Sequence, residues 1–557
     1  MSRNRFTRTL LTCTLLAISA SACAQAQTGT ASASAPAESQ DLSGPVRTQQ
    51  GLIQGAPGKV AGITVFKNIP FAAPPVGNLR WAQPQAPLAW QGVRDGSKYG
   101  NVCVQPPAPN RFPPNSATDI PENFTGMSED CLNLNIWTPA RKAGEKLPVM
   151  VWLYGGAYNE GGGNAPFSEG DNLAAKGVVM VTLNYRVGAL GFLSHPELTA
   201  EGGGASGNQA LGDAIAAFKW LKANVAAFGG DPDNITLFGE SAGAAMNGGL
   251  AGAAGARGTF ERAIAESGAW MGLGIGLMPQ RADMEKRTLE AAEKAGLPNL
   301  AAMRALPAAD VAKAFRGQGM IVDGRIITED LSITFAQGRQ NPVDVLVGTN
   351  SNEGSFTSAM GPPTTLASWT AGEKMRWGDA VELGRAAYPA ATDAEAAKQA
   401  PMPFSDTMAW HMRLFADSQA RIGKQAWHYW FTHEPQYDEG RPNLGAGHTA
   451  EIPYVFDNLA APRTYPAGSS VTLMAGNARE EAFADQVSQY WVNFARTGNP
   501  NGPDLPKWPT MGELGATESM LLDADGSGKG AWLTAQQNAL YQAIYNVRVA
   551  KPLGIAK

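Results

Sequence analysis

A hydroxyl, an imidazole to take its proton and a carboxylate to hold that imidazole are together sufficient for nucleophilic attack on a carbonyl. Ser241 supplies a candidate hydroxyl in "ITLFGESAG" (235–243), where an apolar run ends on a serine boxed between Gly239 and Gly243. Ile235 to Phe238 suit a buried strand and Ala242 to Met246 favour a helix, so Ser241 is expected on a sharp strand-to-helix turn. Such a turn leaves little room for side chains two residues to either side of the serine. In a chain with 64 glycines the pattern G-x-S-x-G is weak by itself, and an ordinary βα turn competes with it.

Partners for the serine stand at the ends of other apolar runs. "VLVGTNSNEGS" delivers Glu353 into a polar loop directly after such a run, where a carboxylate can orient a histidine. His448, in "GAGHTAEIPYVF", is the histidine on a glycine-flexible loop downstream of both. The order Ser241, Glu353, His448 is that of α/β-hydrolase triads. His195 precedes Pro196 in a loop, while His411, His428 and His433 lie in or beside an aromatic, helix-like stretch and read as structural. After "PVMVWLY" (148–154), Gly155, Gly156 and Ala157 expose backbone N–H groups. Gly156 and Ala157, with the N–H of Ala242, form a candidate oxyanion hole, each donor contributing on the order of 3 kcal/mol at the transition state. Similar runs at Gly161 to Gly163 and Gly202 to Gly204 lack the spacing and context of phosphate or dinucleotide loops.

The elements that must hold these residues are legible as alternating patterns. "PVMVWLY", "VVMVTLNY" (178–185), "ITLF" and "VDVLVGTN" (343–350) read as strands, and Leu211 to Phe228 carries its apolar residues at helical spacing. Strands buried on both faces with helices between them predict an α/β fold whose mainly parallel sheet is covered on both sides, with function at the carboxyl ends of the strands. At 557 residues, 44% of them hydrophobic and 17% charged, the chain can bury a large core. A net charge of -5 and no dense Lys/Arg run argue against a nucleic-acid partner.

The N-terminus reads as a targeting segment. Arg3, Arg5 and Arg8 precede an apolar stretch from Leu10 to Ala20, too short to span a bilayer, and Ala-x-Ala signals place cleavage before Gln27. A competing reading makes Cys23 a lipidated first residue, but Ala20 stands where such signals usually carry leucine. The expected organisation is a signal peptide at 1–26, a flexible small-residue leader at 27–44 and a single domain at 45–557, periplasmic or secreted. Processing leaves Cys103 and Cys131, and two cysteines in an oxidising compartment suggest one disulfide. It would close a loop of about 28 residues, worth roughly 3.5 kcal/mol on a chain-entropy estimate. The competing use, a metal site, lacks C-x-x-C and H-x-x-x-H spacing, so neither metal nor cofactor is expected.

The chain as a whole resembles the type-B carboxylesterases, the carboxylesterase and cholinesterase-like branch of the α/β-hydrolases. "NIPFAAPPVGNLRW", "SEDCLNLNIWTP", "VMVWLYGGAY", "NYRVGALGFL", "FGGDPDNITLFGESAGA", "ESGA", "GTNSNEG", "HTAEIPYVF" and "FARTGNPNGPDLPKWP" match that family's motifs in family order, from about Val46 to beyond Trp508. The resemblance implies an α/β-hydrolase fold with large inserted helical and loop regions, and an ester hydrolase working through an acyl-enzyme on a small-molecule substrate. It implies Ser241 as nucleophile, Glu353 as acid, His448 as general base, and Gly156, Ala157 and Ala242 as oxyanion donors. It further implies a Cys103–Cys131 disulfide and a supporting network in which Glu240 and Ser267 lie near the triad, with structural roles for Asp213 and Arg186. Ala157 stands where many members carry a third glycine, which narrows the space by one methyl and leaves the N–H in place. An amidase or lactonase with the same triad, and a non-catalytic adhesion module that keeps the fold, are the alternatives.

Substrate choice is where a missing residue speaks. In cholinesterases a tryptophan about ten residues before the motif cysteine holds the choline cation. Counting back from Cys131 reaches Pro121, which has no π face, and within "DIPENFTGMSEDC" the only aromatic is Phe124. Neutral aryl or p-nitrophenyl esters of short acids are therefore expected to be hydrolysed at least as well as choline esters. Comparison of kcat/KM over a panel of acyl and alcohol groups checks this, and a marked preference for choline esters contradicts it.

Overall fold

Leu147–Leu153, Val179–Leu183 and Asp344–Asn350 are short and almost wholly buried, a pattern that suits strands covered on both faces. The computed structural model describes residues 41–106, 125–355, 362–436, 444–461 and 476–556, with the backbone of short strands at 464–465 and 469–470. The chain divides between Glu38 and Ser39, and all of these residues belong to the unit Ser39–Lys557. The expected signal peptide, most of the expected leader, and the Pro121 and Phe124 positions lie outside the described residues. Within the expected leader, Leu42 is buried and donates its N–H to Arg141 O, which anchors the leader's end to the folded body.

An eleven-stranded mixed sheet organises this unit. In chain order its strands are β1 (Ala56–Pro57), β2 (Thr64–Pro70), β3 (Asn133–Thr138), β4 (Leu147–Leu153), β5 (Val179–Leu183) and β6 (Gly230–Glu240). The rest are β7 (Arg262–Glu266), β8 (Asp344–Asn350), β9 (Ala426–Phe431), β10 (Glu518–Leu522) and β11 (Gly528–Ala531). The spatial order is β11-β10-β9-β8-β7-β6-β4-β5-β3-β2-β1. From β5 across to β10 every pairing is parallel, while β11 at one side and β3, β2 and β1 at the other run antiparallel. The chain reverses its direction of travel across the sheet at β4, which pairs with β5 on one side and β6 on the other. At such a switch point a crevice opens beyond the carboxyl ends of the strands.

The four strands and the helix expected from sequence are present, the helix as α1 (Gln209–Asn224) running into a 3-10 turn at Val225–Phe228. His428 does not lie in a helix-like stretch. The aromatic stretch around His428 is the strand β9, "AWHYWF", all six residues buried, with helix α3 (Met402–Arg421) before it. Bulky aromatics suit a pleated surface packed on both faces, and β9 has neighbours on both sides to supply one. Among the described residues no helix is long and apolar enough to cross a membrane. Cys103 and Cys131 are joined in a disulfide.

Helix α2 (Ala242–Gly252) starts directly after β6, and the turn between them explains both flanking glycines. A Cβ on Gly239 would lie 2.4 Å from Leu153 O, and one on Gly243 2.0 Å from the same oxygen. We expect Gly243→Ala to cost about 3 kcal/mol in urea unfolding, the overpacking penalty of a methyl set against rigid backbone. A wild-type midpoint for that variant would contradict this account.

Candidate functional site

Ser241 is held at φ 55°, ψ −120°, a conformation L residues avoid. The strain is carried by neighbours: Ser241 N donates to Glu266 O (2.9 Å), and Ser267 N donates to Gly348 O (2.8 Å), so the ends of β6, β7 and β8 stay laddered beyond their last paired residues.

Beyond β8 the chain folds back on itself to place Glu353, which is fully buried. Its Oε1 accepts from Asn350 N (2.8 Å), from Thr349 Oγ1 (2.6 Å) and from Ser267 Oγ. Its Oε2 faces His448 Nδ1 at 2.5 Å. Burial alone would raise this carboxyl, but His448, with Ser267 and Thr349, holds it below the usual range. The loop bearing His448 is tied to the same turn, because Asn350 Nδ2 donates to Gly447 O (2.8 Å), Asn352 Nδ2 to Leu444 O (3.0 Å) and Asn352 N to Ala446 O (2.9 Å). The asparagines of "GTNSNEG" thus bring Glu353 and His448 together, and nothing in their local pattern singles them out.

On the other side of the ring, His448 Nε2 lies 3.0 Å from Ser241 Oγ and 3.1 Å from Glu240 Oε1. Ser241, His448 and Glu353 therefore form one unbroken chain of polar contacts, and Glu240 and Ser267 touch it as expected. Two further carboxylates were missed. Glu266 pairs with Glu240 in the register of β6 and β7, its Oε1 accepting from Trp491 Nε1 (2.8 Å), and Glu451 accepts from Asn350 Nδ2 (2.5 Å). Burial, then the proximity of Glu451, raises Glu266 well above the carboxylate range; burial and Glu353 push Glu451 up to about 7. An acidic residue inside a buried run, as in "AIAES", is the signal that would have found the first.

Gly155 runs hard against Ser241: a Cβ there would lie 2.7 Å from Glu240 Oε2 and 3.0 Å from Ser241 Cβ. Gly156 follows at φ 112° and Ala157 at φ 51°, so the expected donor loop begins beside Ser241. Ala242, the third expected donor, opens α2, where a helix leaves its first N–H groups unbonded within the helix. The other histidines lie elsewhere: His195 caps a helix through Glu197 N, His428 meets Ser519, His433 meets Glu480, and His411 is buried in α3. Arg186 and Asp213 form a buried ion pair (2.7 Å), in keeping with structural roles. No group of His, Cys, Asp or Glu among the described residues could hold a metal ion.

A profile of the carboxylesterase family matches residues 43–540. The chain is 36% identical over 515 residues to a fumonisin B1 esterase of Sphingopyxis macrogoltabida, covering 89% of each. It is 31% identical over 496 residues to a para-nitrobenzyl esterase of Bacillus subtilis, covering 86% of this chain and 95% of that one. The crystal structure of a carboxylesterase from Geobacillus stearothermophilus matches with a TM-score of 0.73 at 31% identity, over 89% of this chain and all of that one.

The carboxylates set the titration of the imidazole. Burial pulls His448 down, but Glu240 and Glu353 outweigh it and push it up to about 10, well above the pH 6 to 7 of an ordinary histidine. With the folded value raised, this pairing stabilises the fold at low pH and the contribution is lost as pH rises towards 10. Glu240→Gln removes one anion beside Nε2 and is expected to lower the midpoint by roughly one unit or more. NMR titration of the His448 ring in both proteins reads this directly, and equal midpoints would exclude Glu240 as a cause.

Proposed function

The chain belongs to the carboxylesterase family and is a carboxylic-ester hydrolase with the α/β-hydrolase fold, and on that premise we propose that it cleaves its substrate through an acyl-enzyme formed on Ser241. The observation that supports this reading is the contact chain from Ser241 Oγ through His448 to Glu353, 3.0 Å on one side of the ring and 2.5 Å on the other.

A serine hydroxyl is a poor nucleophile, so the neutral form of His448 takes the proton as Oγ attacks the ester carbonyl; with His448 raised to about 10 that form is the minor one at neutral pH, and turnover is expected to rise with pH as it grows. Glu353, ionised and bound by three donors, keeps Nδ1 protonated, leaves Nε2 free to accept, and stabilises the imidazolium that forms. The same carboxylates that raise His448 make it a strong base once deprotonated. The tetrahedral oxyanion is bound by the N–H groups of Gly156, Ala157 and Ala242. The alcohol leaves with the proton from His448, and water then repeats the sequence on the acyl-enzyme. A complete triad favours catalysis over the adhesion-module reading.

Residues 1–26 act in this proposal as an export signal and 45–557 as one catalytic domain, with Leu42 packed onto it. The Cys103–Cys131 disulfide supports an oxidising compartment.

Ser241→Ala is expected to lower kcat for p-nitrophenyl esters by roughly 10⁴-fold or more with the thermal unfolding curve preserved, and to abolish labelling by a fluorophosphonate probe. A folded variant with near-native turnover would remove Ser241 as the nucleophile.

A further inference from the structure

The loop carrying Gly156 and Ala157 leaves β4 at Tyr154 and has to return to one place. Its turn is closed by two donors on one oxygen, Asn159 N (3.0 Å) and Glu160 N (3.2 Å) to Gly156 O. A Cβ on Gly156 would lie 2.2 Å from Glu160 O, so the two ends of the turn pack without space between them. At Gly161, φ 119°, the chain comes back against the segment it left: a Cβ there would meet the Tyr154 ring at 2.3 Å and Gly155 O at 2.9 Å.

One side chain holds that return point. Gln105 Oε1 accepts from Gly161 N (2.9 Å) and Gln105 Nε2 donates to Gly161 O (2.9 Å), so both backbone polar groups of Gly161 are bound by the two ends of one amide. Nε2 also donates to Cys103 O (3.1 Å), and Gln105 is 3% exposed. The clamp is itself anchored, because Cys103, two residues back, is bonded to Cys131 at the entry to β3. Two residues further on, Gly163 N donates to Asn184 Oδ1 (2.8 Å) and Gly163 O accepts from Asn135 Nδ2 (3.1 Å), which ties the rest of the loop to the sheet. Of these amides, Gln105 is the one that grips the segment next to the turn.

We propose that Gln105 is a positioning residue for ester hydrolysis: by clamping Gly161 it sets the direction of the Gly156 and Ala157 N–H groups, without touching substrate or triad. The inference rests on those groups being the oxyanion donors. A donor and an acceptor at the end of a three-carbon reach are both required, and glutamine meets that need. Misplaced donors weaken binding of the transition state and spare that of the ground state, so the effect falls on kcat.

The test compares an oxo ester with its thiono counterpart, whose sulfur fits an oxyanion hole poorly, in wild type, Gln105→Met and Gln105→Glu. Wild type is expected to prefer the oxo ester strongly. Gln105→Met, similar in length and without either hydrogen bond, is expected to lower kcat for the oxo ester by about 10- to 100-fold with KM within about threefold, to narrow the oxo-to-thiono ratio, and to leave unchanged the pH dependence of kcat that His448 sets. Gln105→Glu, isosteric and still able to accept from Gly161 N, is expected to retain more activity than Gln105→Met, and it carries the comparison of ratios if the methionine variant does not fold. A folded Gln105→Met with native kcat, or one that loses both substrates equally, overturns the role of Gln105. A wild-type enzyme without oxo preference instead overturns the oxyanion assignment on which the role depends.

Discussion

The carbonyl oxygen of Leu153 occupies the place where a side chain on either flank of Ser241 would have to go. That steric fact couples the end of β4 to the turn between β6 and α2, and most of the site follows from it. With glycine at 239 and 243 the turn can press against β4, and the pressure holds Ser241 at a positive φ that an isolated chain would leave. The same approach repeats one layer out. A Cβ on Gly268 would lie 2.3 Å from Ser241 O, and Gly155 lies against Glu240 and Ser241. Strand ends that would elsewhere diverge into loops are here locked together, so the hydroxyl and the loop opposite it share one rigid frame.

Charge is concentrated behind that frame. Glu240, Glu266, Glu353 and Glu451 are all fully buried, and one imidazole lies among them. Like charges in a low-dielectric interior cannot all persist, and the outcome differs with each carboxyl's hydrogen bonds. Glu353, with three donors and the histidine, stays anionic; Glu266 and Glu451, with fewer donors, are driven towards the neutral acid. The neutral acids limit the negative field at His448, while Glu240 and Glu353 still favour its imidazolium form.

Amide side chains hold the loops to the sheet, and each spans a long separation in sequence. Asn350 and Asn352 reach the His448 loop, Asn135 and Asn184 reach Gly163, and Gln105 reaches Gly161. An amide both donates and accepts, so one side chain can satisfy a backbone segment that has left the sheet and would otherwise keep buried groups unpaired. This gives a physical reason for Asn135 in "CLNLN" and for the asparagines of "GTNSNEG" that their local pattern does not supply.

Much of the site was legible in the chain itself, because its chemistry is announced by local geometry. Glycines two residues either side of Ser241 are a steric demand of the turn, apolar runs are a demand of buried strands, and an acid or a serine after such a run falls at a strand's carboxyl end. His448, by contrast, was singled out by its partners and by order along the chain. Glu266 and Glu451 escaped because a buried carboxylate has no local signature; its neighbours come from strands and loops far away in sequence. The strand around His428 was misread for the same kind of reason, since an aromatic stretch becomes a strand when strands stand ready on both sides. Sequence alone singled out Ser241, Glu353 and His448 as candidates and most of the elements that carry them. The tertiary structure alone decided how near those residues come, which carboxylates keep their protons and which side chain grips which loop, because those quantities depend on burial and distance between segments that only folding brings together.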